Sequence, residues 1–545
     1  MGRRFVGLGV SAGRAAGPVY RMAGAPRLPE SVPAVGDVSA ETERATEALR
    51  VVGEVLRGLA AEAGKTAAEV LEAEALMAVD PMLIGAVGER VKAGRPAAWA
   101  ITEAIAEQKA MLESLGGYLA ERAADLADIR DRAVAYLLGL PMPGVPEPGE
   151  PFILVAEDLA PADTARLDPR TVLGLITRRG GPTSHTAILA RAHGLPAVVG
   201  FADADALTEG LVVAVDGGTG EVAEVSRDEA AAITVEAERA RQALAASSGP
   251  GRTADGHPVG LLLNVGSADD IGGHEAEGVG LFRTEFLFLG RTEPPSIGEQ
   301  ERAYADVFAA MAGRKVVLRT LDAGADKPLP FLGLAGEENP ALGIRGLRVA
   351  KARPEVLAGQ LEAVARAAES TGAEVWVMAP MVATHGEAAW FADCVRAAGL
   401  AKAGVMIEVP SAALLASRIL EHVDFLSIGT NDLSQYTLAA DRMSADLAEL
   451  LDPWQPAVLH LVDACARAGQ ETGKPVGICG EAAGDPLLAP VFAGMGITSL
   501  SMSGAGVPAV RAALATRTLA ECRELAAAVL AAPDAVTARR AGSGR

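Results

Sequence analysis

The feature that most constrains the fold is an alternation of short apolar runs with helical stretches from Val259 onward. Stretches rich in helix formers, such as 354–368, 412–420 and 456–468, separate these runs. Eight strand–helix units in about 260 residues are the expected content of a (β/α)8 barrel. We therefore predict a TIM barrel over 255–520, then a C-terminal helix and tail (521–545) that is frayed from Arg539 to Arg545. The predicted strands are 259–265, 279–284, 315–321, 374–380, 404–409, 424–428, 475–479 and 497–502.

The first half of the chain predicts two further domains and a connection. Residues 1–24 and 145–225 contain short strands and one helix, so we expect them to form a single α/β domain. Residues 25–144 carry apolar side chains at three- and four-residue spacing without a strand signal, which predicts an inserted helical bundle. Residues 226–254 predict a linker helix and a hinge.

Charge and cysteine content limit the partners and the location. The formal net charge is −21 and no basic domain stands out, so we expect no nucleic-acid partner. Residues 25–140 hold 19 acidic and 12 basic side chains, which suits either a docking surface for a basic partner or an ordinary solvated helical surface. Four cysteines without paired spacing, and the lack of a long apolar run, predict a cytoplasmic protein without membrane insertion.

The string GGPTSHTAILAR, residues 180–191, holds the first candidate for chemistry. It follows a predicted strand and enters a helix that Gly194 and Pro196 end, so His185 lies near the helix N-terminus, where free N–H groups favour a phosphate. The hydroxyls of Thr183 and Ser184 can fix one imidazole nitrogen. A purely structural role is the alternative for any single histidine. The whole string is similar to the phosphohistidine signature of enzymes that use phosphoenolpyruvate (PEP), which favours His185 as a phosphorylated nucleophile.

The second group of candidates lies at the C-terminal ends of the predicted barrel strands, where TIM barrels carry their reactive groups. Glu408 and Asp432 offer the oxygen ligands that Mg²⁺ prefers, and Asn431 can donate to a phosphate oxygen. Cys479 ends the seventh strand, where an acid could act. The arginines can clamp a small anion: Arg283, Arg319 and Arg442.

Structural alternatives exist for these residues. Arg283 or Arg319 could serve the fold alone through ion pairs with Glu285 or Asp322. A buried cysteine is more often inert than catalytic. Several arginines and carboxylates at one barrel mouth nevertheless favour a site for a phospho-carboxylate.

Together these segments resemble enzyme I of the bacterial PEP-dependent sugar phosphotransferase system, over essentially the whole chain. The resemblance implies that PEP and Mg²⁺ phosphorylate His185, and that the phosphate passes to a histidine of the phosphocarrier HPr, docked on the helical insert. It also implies a homodimer through the barrel. The matching segments are the string around His185, GVGLFRTEFLF, SIGTNDLSQYTL, GICGE and, in the helical insert, ERAADLADIRD.

The resemblance also assigns roles at the barrel mouth. Cys479 becomes the proton donor to enolpyruvate, and Glu408 and Asp432 become Mg²⁺ ligands. The chain departs from the family pattern at Pro182, Ala325 and Val409, none of which removes a reacting atom. The residues assigned to PEP are Arg283, Arg319, Asn431 and Arg442.

Three other functions compete with this one. A relative of PEP synthase or pyruvate phosphate dikinase needs a large ATP-binding domain, which the sequence does not suggest. A regulatory, nitrogen-type phosphotransferase keeps the chemistry but usually carries an extra sensory domain. An inactive scaffold conflicts with the intact set of candidate residues.

Overall fold

The computed structural model describes residues 2–543 except 12, 23–25, 30, 63–64, 116, 147, 160–166, 182–183, 246, 290, 325–328, 334–336 and 443. The chain divides into two units, Met1–Glu238 and Arg239–Arg545. None of the helices in the described part of the chain has both the length and the apolar character needed to cross a membrane. The departures Pro182 and Ala325 lie outside the described residues.

The first unit contains an eight-stranded sheet in the order β1-β8-β7-β3-β4-β5-β6-β2. Strand β3 joins strands from before and after the helical insert, since it pairs parallel to β4 and antiparallel to β7. The strands on both sides of the insert therefore belong to one sheet. The strands are β1 (Arg4–Val6), β2 (Leu8–Ser11), β3 (Arg14–Arg21), β4 (Phe152–Ala156), β5 (Val172–Thr177), β6 (Ala197–Val199), β7 (Val212–Asp216) and β8 (Glu221–Glu224).

In the part of the insert that the structure describes, five helices form a bundle between β3 and β4. Its core is apolar and built largely from alanine, leucine and valine, including Leu49, Val52 and Leu71. Asp80 caps the third helix, accepting hydrogen bonds from the N–H groups of Met82 and Leu83. The helices are α1 (Val38–Glu62), α2 (Lys65–Ala78), α3 (Pro81–Lys92), α4 (Ala97–Leu115) and α5 (Gly117–Leu138).

One carboxyl group in this bundle is buried against others. Glu74 of α2 is 1% exposed and lies near Asp125 and Asp128 of α5, with Arg132 as the nearby cation. Burial and the two aspartates raise the pKa of Glu74 from its ordinary value of 4.5 to about 10. The folded protein therefore holds a proton on Glu74 at neutral pH, while the unfolded chain releases it.

We expect Glu74→Gln to stabilise the protein at neutral and higher pH. Because the folded pKa lies above the unfolded one, the contribution of Glu74 is fully present below pH 4.5 and is lost as the pH rises toward 10. Glutamine needs no proton and can still donate to Asp128. The free energy of unfolding at pH 7.5 should increase by roughly 2–4 kcal/mol, measured by urea unfolding at pH 5 and pH 7.5.

The matched control is Glu72→Gln, two residues earlier on the exposed side of the same helix. It should leave the pH dependence unchanged. An equal pH dependence in Glu74→Gln and the wild type would contradict the buried proton.

The second unit is the predicted TIM barrel. Eight strands close in the order β10-β11-β12-β13-β14-β15-β16-β9, and every neighbouring pair is parallel. Each observed strand lies within two residues of its predicted bounds. They are β9 (Gly260–Val265), β10 (Gly278–Arg283), β11 (Lys315–Arg319), β12 (Val375–Ala379), β13 (Lys402–Ile407), β14 (Phe425–Ile428), β15 (Val476–Ile478) and β16 (Ser499–Met502).

Helices cover the outside of the barrel and bury its outward side chains in one large apolar core. Inside the barrel a smaller apolar cluster fills the centre, formed by Leu281, Val317, Met378, Met406 and Phe425 with the Cys479 side chain. The remaining helices among the described residues are α6 (His185–His193), α7 (Arg227–Ala245), α8 (Ile297–Ala310), α9 (Leu347–Ala352), α10 (Pro354–Thr371), α11 (His385–Ala397), α12 (Pro410–Leu414), α13 (Ala416–Leu420), α14 (Thr430–Leu438), α15 (Pro456–Thr472), α16 (Leu488–Met495), α17 (Val507–Leu514), α18 (Leu519–Leu530) and α19 (Ala535–Gly542).

The C-terminal end corrects one prediction. The sequence predicts a frayed tail at Arg539, but α19 continues to Gly542 and packs on the barrel unit. Arg539 donates to both oxygens of Asp452 at 3.0 and 3.1 Å, and its guanidinium lies 5.6 Å from the Trp454 ring centroid. The polar sequence of this chain end suggests solvent exposure. The prediction was wrong because Arg539 contacts residues 85 or more positions away, which fix the helix on the barrel unit.

Candidate active site

The predicted strand–loop–helix turn at His185 is present. Strand β5 precedes it, and His185 is the first residue of α6. Ser184 is the N-cap, and its Oγ accepts a hydrogen bond from the Ala187 N–H at 3.3 Å. Gly194, with φ of 64°, ends the helix as predicted. The backbone of His185 is therefore at a helix N-terminus, the position that favours an anionic group.

The predicted contacts of the imidazole stay predictions. Thr183 and the side chain of His185 lie outside the described part of the chain. The Ser184 hydroxyl serves as a helix cap, a role that was not predicted from the sequence. The neighbouring Thr186 is buried and donates through its hydroxyl to Asp158, which fixes the start of α6 to the segment after β4.

Three carboxylates meet at the C-terminal mouth of the barrel. Asp322 follows β11, Glu408 follows β13, and Asp432 lies in the first turn of α14. All three are buried, and each offers an oxygen within 4.8 Å of the others. Such a cluster of buried carboxylates is stable only with cations among them.

Two buried arginines supply part of that positive charge. Arg345 donates through Nη2 to Asp322 at 3.1 Å and to Asp432 at 2.9 Å, and it is 1% exposed. Arg319 pairs through Nη2 with Glu285 at 2.7 Å, and its Nη1 lies 3.2 Å from an Asp322 oxygen. The ion pairs considered as a structural alternative for Arg319 are thus present, within the same cluster as the carboxylates.

The other two predicted arginines lie at the edge of this cluster. Arg442 Nη1 is 3.4 Å from an Asp432 oxygen. Arg283 ends β10 and is exposed. The Nε of Arg319 is buried and has no hydrogen-bond partner within the described residues, so one strong donor of the cluster is left for a bound anion.

The carboxylates have unequal proton affinities. Burial and the charges of Asp322 and Asp432 raise the pKa of Glu408, whose Oε2 accepts the Met381 N–H at 2.8 Å. Burial acts in the same direction on Asp432, but the guanidinium groups of Arg345 and Arg442 outweigh it and lower its pKa. A bound cation would favour the charged form of Glu408, so the donor set fits a hard divalent metal such as Mg²⁺.

The remaining predicted residues flank the cluster. Asn431 and Glu481 exchange two hydrogen bonds: Nδ2 donates to Oε1 at 3.1 Å, and the Glu481 N–H donates to Oδ1 at 3.0 Å. Cys479 is buried, and its Sγ lies 3.6 Å from the Ile428 carbonyl oxygen. Burial raises the pKa of its thiol to about 11, so the thiol keeps its proton at neutral pH. The departure Val409 precedes α12 and forms its N-cap without a side-chain hydrogen bond.

Arg345 was not predicted from the sequence, and Asp322 was predicted only as an ion-pair partner. Arg345 does not follow a strand: it lies in the loop before α9 and reaches the mouth through a backbone bridge to Gly324. A Cβ at Gly324 would lie 2.8 Å from the Cβ of Arg345, so a larger residue there would disturb the bridge. The only local signal is a pair of glycines around the arginine, Gly343 and Gly346.

Comparisons with known proteins cover most of the chain. The profile described as the PEP-binding domain of PEP-utilising enzymes matches residues 240–519. The mobile domain of the same enzymes matches residues 148–220, and their N-terminal domain matches residues 6–122. The matched ranges include the barrel mouth and the segment around His185.

Several curated proteins are similar over nearly their full length. A phosphoenolpyruvate-protein phosphotransferase of Streptomyces coelicolor is 52% identical over 98% of this chain and 98% of its own. One of Haloferax volcanii is 41% identical over 86% of this chain and 85% of its own. One of Bacillus subtilis is 38% identical over 92% of both chains.

Proposed function

This chain belongs to the PEP-utilising enzymes, as a phosphoenolpyruvate-protein phosphotransferase, and from that premise we propose how its residues divide the reaction. PEP binds at the barrel mouth and phosphorylates His185. The phosphate then passes to a histidine of the phosphocarrier HPr and so starts sugar uptake. The observation that carries the assignment is the buried cluster of three carboxylates and two arginines, in which the Nε of Arg319 has no hydrogen-bond partner among the described residues.

The arginines bind and orient the substrate. A guanidinium group matches the paired oxygens of a carboxylate or a phosphate, and PEP carries both groups. We assign Arg283, Arg319 and Arg442 to this role, with Asn431 as a phosphate contact, and add Arg345 because its guanidinium is in the same cluster. Burial strengthens each of these charge interactions by excluding water.

The carboxylates hold the metal. We propose that Glu408 and Asp432 bind Mg²⁺, on which PEP-utilising enzymes generally depend, and that Asp322 completes the group of oxygens. When bound, the ion would supply positive charge that stabilises the phosphoryl oxygens during transfer. The carboxylates would hold this positive charge next to the arginines. The cations would then neutralise both the carboxylates of the cluster and the anionic groups of PEP.

The phosphoryl step needs a nucleophile and an acid. One imidazole nitrogen of His185 forms the new N–P bond, and the bond between phosphorus and the enol oxygen breaks. The enolpyruvate that leaves takes a proton at its methylene carbon, and we propose the Cys479 thiol as the donor. A thiol that stays protonated at neutral pH suits this role, and pyruvate is the product.

Labelled PEP tests the proposed function directly. Incubation of the protein with ³²P-labelled PEP and Mg²⁺ should give protein-bound phosphate that is labile to acid and stable to base, as expected of phosphohistidine. Addition of purified HPr should then move the label to HPr. No label on the wild-type protein would exclude the proposed reaction.

Cys479→Ala should slow formation of pyruvate from PEP by about 10²–10³-fold, the usual contribution of a positioned proton donor. Transfer of phosphate from His185 to HPr should keep its wild-type rate, because that step needs no enolpyruvate. Stopped-flow measurement of pyruvate release, coupled to lactate dehydrogenase, checks the result. Cys465→Ala is the matched control, since Cys465 is also buried, in α15. Equal rates for the two variants would contradict the role of Cys479.

We place the phosphocarrier on the helical bundle. Leu76 and Met82, on either side of the turn between α2 and α3, are 65% and 73% exposed, and Glu72 is exposed on the same helix as Leu76. An exposed apolar pair with an acidic residue one helical turn away suits a partner that carries basic and apolar groups at its contact surface. The homodimer through the barrel and the cytoplasmic location are further parts of the proposal.

Leu76→Asp should raise KM for HPr by about 10- to 100-fold, the loss expected when an apolar contact residue is replaced by a charge. The rate of His185 phosphorylation by PEP should not change. Titration with HPr, followed by transfer of label, measures both steps. The control Val235→Asp places the same charge on an apolar residue that is 51% exposed in α7. A similar KM for both variants would place the carrier elsewhere.

A further inference from the structure

A buried glutamine lies behind the barrel mouth. Gln360, in α10, is 1% exposed. Its Oε1 accepts the Leu321 N–H at 2.9 Å, and its Nε2 donates to the Thr284 Oγ1 and to the Tyr304 hydroxyl, each at 3.1 Å. Three of the four hydrogen bonds that a side-chain amide can make are therefore used inside the protein. An apolar side chain of the same size would fill this position without needing them.

The three partners of Gln360 connect two strand ends. Thr284 directly follows Arg283 at the end of β10, and its hydroxyl donates to the Arg319 carbonyl oxygen at 2.9 Å at the end of β11. Leu321 directly precedes Asp322. The Gln360 amide is therefore bonded directly to the backbone next to Asp322. Through the Thr284 hydroxyl it is also connected to the backbone of Arg319.

The third partner fixes the glutamine itself. The Tyr304 hydroxyl, in α8, donates to the Gln300 Oε1 at 3.1 Å, and Gln300 Nε2 donates to the Pro295 carbonyl oxygen at 3.0 Å. Gln300, Tyr304 and Gln360 are all buried, so each of these bonds is sheltered from water. A buried hydrogen-bonded network of this kind holds its members in one geometry.

We propose that Gln360 and Thr284 are positioning residues for the PEP site. Through hydrogen bonds to Leu321 and to the Arg319 carbonyl they set the relative placement of the ends of β10 and β11, and hence of the Arg319 guanidinium. An arginine that binds an anion in two contacts loses much of its effect when displaced by about 1 Å. The inference rests on the proposed function, since it concerns the binding of the same substrate.

Thr284→Val tests the proposal with the smallest change in shape. Valine has the same size as threonine, but it neither donates to the Arg319 carbonyl nor accepts from Gln360. We expect KM for PEP to rise about 10- to 100-fold and kcat to fall less, because the arginine binds the substrate before the phosphoryl step. Thr284→Ser keeps the hydroxyl and should stay within about threefold of the wild type. Gln360→Leu should reproduce the effect of Thr284→Val.

Two readouts separate positioning from a merely structural role. Transfer of phosphate from His185 to HPr does not use the barrel mouth, so it should stay at the wild-type rate in all three variants. Wild-type KM in Thr284→Val, an equal loss in Thr284→Ser, or an equal loss in both half-reactions would each overturn the proposal. Thermal unfolding of each variant shows whether a loss comes from an unfolded protein. Lack of label on the wild-type protein, in contrast, would overturn the proposed function itself.

Discussion

Replacement of His185 with alanine is expected to abolish protein-bound phosphate from PEP. In the proposed reaction each phosphoryl group is bound covalently to the His185 imidazole, and alanine offers no nucleophile at that position. Labelling should fall by at least about 10⁴-fold, to the background of the assay. Alanine is a strong helix former and Ser184 still caps α6, so the fold of the first unit should remain. Circular dichroism and labelling with ³²P-labelled PEP check both statements.

The matched control is His193→Ala at the other end of the same helix. It removes an imidazole from α6 but should label at the wild-type rate. Pyruvate release in His185→Ala should stop as well, because PEP then has no acceptor. Base-stable label on His185→Ala would show that another residue is the nucleophile, even if the barrel site is correct.

Replacement of Glu408 with glutamine is expected to lower kcat/KM for PEP by about 10³-fold or more. In the proposed site the change removes one of three negative oxygen ligands, and a bound metal would supply several kcal/mol of charge stabilisation to the reaction. Glutamine keeps an oxygen that can accept the Met381 N–H, so the local backbone should be preserved. Affinity for Mn²⁺, measured by electron paramagnetic resonance without PEP, should fall in parallel.

A comparison with Glu421→Gln controls for loss of charge alone. Glu421 lies just after α13, exposed and paired with Arg418, away from the strand ends. It should keep wild-type activity and Mn²⁺ affinity. Unchanged Mn²⁺ affinity in Glu408→Gln would remove this residue from the metal site, whatever the change in rate.

Much of this molecule is predictable because its signals are local. The spacing of apolar runs predicts eight barrel strands to within two residues, and Asp80 and Gly194 mark helix ends. Strand ends of a parallel barrel meet at one mouth, which is why the sequence alone groups Arg319, Glu408 and Asp432. Each of these signals lies within a few neighbouring residues, so the sequence shows it without the tertiary structure.

Other features depend on partners that are distant in the sequence. Arg345 meets Asp432 across 87 positions, and Gln360 meets Leu321 across 39. Arg539 likewise contacts Asp452 across 87 positions. That contact holds α19 against the barrel unit, where the sequence predicts a frayed end. No local periodicity marks such pairs, because an arginine or a glutamine in a helix or loop has the same local pattern whether it is solvated or buried.

The sequence by itself therefore determined the barrel, the helical insert and the place of His185 at a helix N-terminus, since backbone propensity and apolar spacing act over a few residues. Only the tertiary structure decided which cations neutralise the three carboxylates and which amide braces the strand ends behind them. Closure of the barrel creates those neighbours, and burial then makes each charge and each amide depend on the partner that closure supplies.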